Sequence, residues 1–308
     1  MSRFQKFFIW LLSILLILVL AVTGVVAKVY LDVKGSMNDT FETVERQETG
    51  VQRKEEVDLN KKDSFSILLM GVDTGDLGRT DTGRSDAIMV ATVSPEDKKT
   101  QIVSIPRDTY MEIVGYGTSD KINHAYAFGG PAMSMDSLEK YLDIPIDHYA
   151  SINMQGIKDL VDAVGGVTVN NDLEFTNEGH TFGMGQITIT GEEALAFVRM
   201  RYDDPRGDYG RQERQRLVVE GIAKKLISLS GVTQYQSVLD AISTNMRTDM
   251  DFTMMQKIAL EYRSAFSTIK MDQMQGDGFM QDGVSYQRVT DEEKQRVQTE
   301  LKDQLNID

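Results

Sequence analysis

The sequence predicts an α/β (α+β) fold, with a central mixed β-sheet flanked by helices on both faces and preceded by one N-terminal transmembrane helix. Three observations carry this expectation. Beyond Ser64, short apolar runs ending in Gly, Pro or Asp alternate with longer segments of helical period. The chain has 308 residues and 41% hydrophobic content, enough for one large core with appendages. Ahead of both lies the uncharged stretch Phe7 to Ala27.

That stretch spans about 30 Å as a helix, the thickness of the hydrocarbon core. It is longer than the apolar region of a secretory signal peptide, so an uncleaved anchor is favoured over a cleaved leader. Arg3 and Lys6 precede it and place the N-terminus in the cytoplasm. Residues 1–28 are therefore read as cytoplasmic N-terminus and membrane anchor, and the rest as extracytoplasmic, on the wall side of a single-pass cell-membrane protein. Residues 29–63 are polar and charged and read as a stalk. Residues 64–308 form the catalytic domain, with a motif-bearing core at 64–229 and a helical C-terminal part at 230–308. The absence of cysteine is compatible with export and excludes thiol catalysis.

Within the domain the elements follow in order. FSILLMGVD, SDAIMVATVS and TQIVSIPRD read as buried strands. HAYAFGGPAMSMDSLEKYL and NMQGIKDLVDAVGG read as helices, the second stopped by Gly165 and Gly166. GVTVN is a further strand. TGEEALAFVRM begins with Thr190 as N-cap and Glu193 three residues on, a capping box. Gly210 to Leu229 is the clearest helix, and others are expected at Tyr235–Met246, Phe252–Phe266 and Asp291–Leu305.

Charged residues gather where strands end. Asp73 follows the first strand, Asp86 starts the second, and Arg107 with Asp108 closes the third; open α/β sheets bind ligands at strand ends. The Gly-rich segment between Asp73 and Arg84 suits a loop that closes over a ligand. A net charge of -14 argues against nucleic acid as a partner, yet RMRYDDPRGDYGRQERQR at 199–216 concentrates arginine. Arg211, Gln215, Val218, Ile222 and Leu226 share one helical face, which is apolar at its C-terminal end. Arg211 and Gln215 should therefore point into a pocket, and with Arg199 and Arg201 they read as an anion site. Arg206, Arg214 and Arg216 read as exposed partners of the neighbouring acids. Carboxylates able to hold a divalent cation, combined with arginines for phosphate, suit phosphoryl chemistry. No metal-ligand spacing links His124, His148 and His180.

GVD, GRSDAIMV, VSIPRDT, KINHAYAFGG, GGVTV and GEEALAFVRMRYDDPRGDYGRQERQR, in this order behind one membrane span, resemble the LytR-CpsA-Psr family over roughly Ser64 to Leu229. The resemblance implies a membrane-anchored phosphotransferase of Gram-positive walls. Such an enzyme moves an anionic glycopolymer, a teichoic acid or capsular polysaccharide, from a polyprenyl pyrophosphate carrier to peptidoglycan through a phosphodiester. It further implies Asp73 and Asp86 as ligands of Mg2+, with Mn2+ as a substitute, and Asp76 or Asp81 as replacements for Asp73. The pyrophosphate-binding residues implied are Arg84, Arg107, Arg199, Arg201, Arg211 and Gln215. Asp86, Asp73 and Asp108 are open candidates for general base, with Arg107 beside them. The sheet, the AYAF segment and the Val218–Leu226 face are candidate walls for the lipid. A lipid pyrophosphate hydrolase and a membrane-bound transcriptional attenuator are the rival readings.

Overall fold

The computed structural model describes residues 27–74 apart from 48, 50, 52 and 54, together with 83–228 and 232–307. The expected membrane span falls on residues 1–26 and lies outside the described ones. The chain is helical over 27–40 (α1).

A six-stranded mixed sheet forms the centre. Its middle is an antiparallel trio, β1 (Phe65–Val72), β2 (Ser85–Ser94) and β3 (Lys99–Ser104). β6 (His148–Asn153) joins β1 in parallel and β11 (Met246–Thr248) joins β6 antiparallel. On the other side β12 (Thr268–Gln273) lies parallel to β3, giving the order β11-β6-β1-β2-β3-β12. The inner strands are apolar on both sides because both faces are covered. Leu68, Met70, Ile88, Val90 and Val103 pack under α2 (Ile122–Leu142) and α8 (Asp291–Leu305). Leu69, Met89, Ala91 and Ile102 meet Val219 on α5 (Asp208–Ser228) across the opposite face. A second core on that side gathers α3 (Met154–Ala163), α4 (Gly191–Arg199), α5 and α6 (Val232–Asn245) around Phe197 and Val218.

Four small hairpin strands decorate this frame: β4 (Tyr110–Ile113) with β5 (Thr118–Lys121), and β8 (Phe175–Asn177) with β9 (His180–Phe182). β7 (Val167–Asn171) pairs β10 (Gly185–Ile189), and β13 (Asp277–Gln281) pairs β14 (Val284–Arg288).

Several expectations change. The helix expected from His124 to Leu142 breaks at Gly129 and Gly130, where Gly130 takes φ 64. Pro131 follows, cannot donate a backbone hydrogen bond and clashes with the turn before it. The C-terminal part is not simply helical, because β11, β12 and the β13–β14 hairpin alternate with α6, α7 (Phe252–Glu261) and α8. β12 is an edge strand whose side chains are only half-buried, so its apolar signal is weak. The segment read as a stalk lies along the domain from Phe41. Glu42 N donates to Thr248 O at 2.8 Å, Arg46 pairs with Asp136 and Glu139, Arg53 pairs with Asp147, and Leu59 is buried.

Candidate functional site

The site forms where β2 begins and β3 ends. β1 and β2 are in register to Gly71↔Ala87, and the next pair is Val72↔Ser85. Asp86 is the residue left over, the extra residue of a β-bulge. Strict alternation would turn its carboxylate into the Leu68–Val90 core. A bulge re-aims the side chain, and Asp86 Oδ1 instead accepts from Arg107 Nη1 at 2.8 Å. Arg107 follows Pro106 in a turn closed by Thr109 N donating to Pro106 O. Its own carbonyl accepts from Asn123 N at the start of α2, which ties this turn to the helix.

Opposite stands the first turn of α5. Arg211 and Gln215 are buried, as their shared face with Val218 and Ile222 predicts. Arg211 Nη2 lies 2.6 Å from Asp208 Oδ1, and Arg201 Nε lies 3.9 Å from the same oxygen. Burial works against the Arg107 charge, but Asp86, with Asp208 and Asp108 behind it, holds that guanidinium above its ordinary value. Arg211 shifts the other way. Burial pushes it down, Asp208 offsets this in part, and the nearby Arg107 charge adds to the depression. Five buried polar atoms here have no well-aligned hydrogen-bond partner: Arg107 Nε, Arg211 Nε, Arg211 Nη2, Gln215 Oε1 and Asp208 Oδ1. Three are guanidinium donors, of which Arg211 Nη2 has only its ion pair with Asp208 and Arg107 Nε only the 3.9 Å approach of Asp108; buried donors without a full hydrogen bond are costly. An anion between Arg107 and Arg211 would relieve that cost.

The other expected residues divide. Arg201 belongs to this cluster through Asp208. Asp108 joins it between Arg107 Nε at 3.9 Å and Lys121 Nζ at 2.8 Å. Asp73 sits at the end of β1, its N donating to Arg84 O at 2.9 Å, while the Arg84 side chain is exposed. Arg199 ends α4 and pairs with Glu178 at 3.4 Å. Asp76 and Asp81 lie outside the described residues.

Arg206 is a surface partner of Asp172, Asp204 and Glu213. Arg214 and Arg216 are corrections. Arg214 is buried, donating to Phe197 O, Met200 O and Asp204, because its turn of α5 faces the end of α4. Arg216 is half-buried under the sheet and donates to Ser104 Oγ at 3.0 Å.

Sequence reasoning passed over Asp208, which orients both Arg211 and Arg201, and Lys121, which holds Asp108. It also passed over the C-terminal buttress. Gln273 Nε2 donates to Gln212 Oε1, Gln212 Nε2 donates to Asp208 Oδ2, and Gln287 N donates to Asp108 O. Lys121 is the first residue of the KINHAYAFGG motif, so a local signal for it existed. The buttress comes from distant sequence and carried no local signal.

An apolar cavity of about 190 Å³ adjoins the cluster. Its walls include Leu69, Gly71, Ala87, Met89, Val218 and Ile222, and Gln215 and Ser151 are its polar members. The sheet and the α5 face thus line it, whereas Ala125 and Tyr126 of the AYAF segment pack into the core on the other side of the sheet, where α2 lies.

For a metal, the donor set is two carboxylates at adjoining strand ends, Asp73 and Asp86. Among the described residues no group of three or more His, Asp or Glu forms a cation cage. Two carboxylates fit Mg2+, which keeps waters and takes its remaining ligands from substrate phosphates.

Comparison with known proteins shows the family. The model of the LytR_cpsA_psr family matches residues 29–303. The polyisoprenyl-teichoic acid–peptidoglycan teichoic acid transferase TagU of Enterococcus faecalis is 58% identical over 306 residues, covering 99% of both chains. Among solved structures, an Enterococcus faecalis protein described as a transcriptional regulator is 43% identical with TM-score 0.73, covering 82% of this chain and 91% of that one. TagT bound to LI-WTA is 28% identical with TM-score 0.70, covering 87% and 99%.

Proposed function

The chain belongs to the LytR_cpsA_psr family, and from that premise we propose that it transfers a teichoic acid from a polyprenyl pyrophosphate carrier to peptidoglycan. The observation that carries the reading is the pair of guanidiniums, half-buried Arg107 and buried Arg211, whose buried donors lack well-aligned hydrogen bonds beside an apolar cavity. A charged head next to a greasy slot is the outline of a lipid pyrophosphate.

The chain's residues supply positioning and charge neutralisation, which dominate phosphoryl transfer. Arg107 and Arg211 bind the pyrophosphate oxygens, Arg201 adds charge at the rim, and Gln215 marks where head gives way to tail. The Val218–Ile222 face and the sheet hold the polyprenyl chain. Attack by the muramic acid 6-hydroxyl forms the new P–O bond at the glycan-linked phosphorus. The bond to the bridging oxygen breaks, and polyprenyl phosphate leaves. The hydroxyl proton passes to a carboxylate among Asp86, Asp73 and Asp108. Mg2+ held by Asp73 and Asp86, with Mn2+ as a substitute, would neutralise phosphate charge.

The N-terminal span tethers the domain on the outer face of the membrane, where lipid carrier and wall meet. Protease digestion of the domain in intact protoplasts tests this; protection would revive the attenuator reading. For the activity, purified protein is given lipid-linked teichoic acid precursor and peptidoglycan. Transfer yields glycan joined to the wall polymer, whereas a hydrolase releases glycan phosphate alone. Arg107→Ala and Arg211→Ala should each lower turnover about 100-fold or more. Wild-type turnover in both would sink the assignment, as would turnover indifferent to divalent-cation chelation for the metal.

A further inference from the structure

We propose that the aromatic surface on the Asp108 side of the cluster binds the sugar rings of the acceptor, a peptidoglycan glycan strand. The proposal rests on Arg107 and Arg211 forming the phosphoryl-transfer centre.

The surface has two parts. Tyr116, in the β4–β5 turn, stacks on Phe128 of α2 with centroids 4.0 Å apart and planes 11° from parallel. They are 49% and 40% exposed, so the stack leaves outer ring faces open to solvent. Tyr110, Phe279 and Tyr286 form the second part, with centroids 5.0 to 5.8 Å apart, and Arg288 lies 4.3 Å from the Phe279 centroid. Polar groups join the two. Asp120 holds His124 Nδ1 at 2.7 Å and is hydrogen-bonded by Tyr286, and the His124 ring lies edge-on to Phe128. Aromatic faces with a negative quadrupole attract the C–H faces of sugar rings, and neighbouring carboxylate and imidazole groups suit their hydroxyls. Tyr116 and Phe128 are exposed and Tyr110, Phe279 and Tyr286 half-buried, and contiguous apolar surface rimmed by polar groups marks a binding surface.

Position selects the acceptor over the donor. Ala87 lines the apolar cavity and Asp86 follows it; then come Arg107, Asp108, Lys121 and, 5.6 Å from Lys121 Nζ, the Tyr286 ring. The leaving polyprenyl phosphate occupies the cavity end of this chain of contacts. An in-line displacement brings the attacking hydroxyl from the side away from the leaving group, and the aromatic surface is the part of the chain of contacts farthest removed from the cavity.

The test is calorimetric binding of soluble, uncrosslinked peptidoglycan glycan strands to the full chain in detergent. Tyr116→Ala with Phe128→Ala, and Phe279→Ala with Tyr286→Ala, should each bind strands about tenfold more weakly while binding the lipid-linked donor as wild type does. Tyr116→Leu with Phe128→Leu keeps apolar bulk without the ring faces and should lose the same affinity. Wild-type strand affinity in all three pairs, or an equal loss of donor and strand binding, overturns the proposal. Arg107→Ala should lose the donor and keep the strand. If it kept both while the aromatic variants lost the strand, the fault would lie in the transfer centre and not in this surface.

Discussion

Arg214 Nη1 donates to Asp204 Oδ2 at 2.6 Å, between side chains 2% and 0% exposed. The same guanidinium donates to Phe197 O and Met200 O, so one side chain fastens the end of α4 to the Asp204 turn and to α5. Asp204 also receives Arg206 N and Nε, and Gly210 passes so close that a Cβ there would fall 1.9 Å from Asp204 Oδ2. The arginine-rich stretch thus contains a structural knot that fixes where Arg201 and Arg211 stand. Removing one partner of a buried ion pair leaves an uncompensated charge and costs about 3–5 kcal/mol. Arg214→Ala should lower unfolding free energy by that order in urea titration, and Gly210→Ala should destabilise through the same carboxylate. A loss below about 1 kcal/mol in Arg214→Ala would show that the knot is incidental.

The knot should also make the fold acid-sensitive at an identifiable place. Burial opposes the Asp204 charge, but hydrogen bonds from Arg206 and Arg214 outweigh it and hold the carboxyl down at about 2, against 3.8 for the ordinary group. A carboxyl depressed in the folded state contributes stability that is full above its unfolded value and is lost as pH falls toward the folded value. The contribution is on the order of 2 kcal/mol. Between pH 4 and 2 the wild type should therefore lose stability more steeply than Asp204→Asn, which starts lower. Parallel profiles would contradict the assignment.

The donors of Arg107 and Arg211 that lack well-aligned hydrogen bonds lead to a binding prediction independent of turnover. Inorganic pyrophosphate, present in large excess over its dissociation constant, should stabilise the native chain by RT ln(1 + [L]/Kd), about 2.7 kcal/mol at a hundredfold excess. The rise in unfolding temperature should vanish in Arg211→Ala and persist in Arg199→Ala, whose ion pair is with Glu178. A rise of the same size in Arg211→Ala would place the anion elsewhere.

How much of this was legible follows from how local each cause is. β2 was readable because both its faces are buried, leaving a continuous apolar run bounded by Ser85 and Ser94. The capping box at Thr190 and Glu193 was readable because the two residues that make it are three apart. Arg211 and Gln215 were readable because Val218 and Ile222 fix the direction of their helix face. Arg214 was misjudged for the converse reason: its partner acid is near in sequence, as in an exposed pair, and only the approach of α4 to α5 buries both. The bulge that turns Asp86 outward exists in the pairing of two strands and in neither strand alone. The β13–β14 hairpin did carry a local sign. Asp282 and Gly283 both take positive φ, at 51 and 79, which is the two-residue turn that an Asp-Gly pair favours. What positions it beside Asp108 is the Gln287 contact, which no spacing rule supplies.

The cavity makes the last prediction. Val218 and Ala87 face it from α5 and β2, with Gln215 one turn from Val218 toward the arginines. If the cavity holds the lipid, filling it should discriminate between donors by tail length and leave the head unaffected. Val218→Phe adds bulk at a buried position on the cavity wall, where overpacking typically costs about 1–3 kcal/mol. It should raise KM for a long polyprenyl donor at least tenfold, while a donor with a short prenyl chain, which needs only the arginines, keeps its KM within about twofold. The pyrophosphate-induced rise in unfolding temperature should survive in this variant, since Arg107 and Arg211 are untouched. An equal rise in KM for both donors would mean that the substitution disturbs the arginines through α5, and the tail would then have to lie elsewhere.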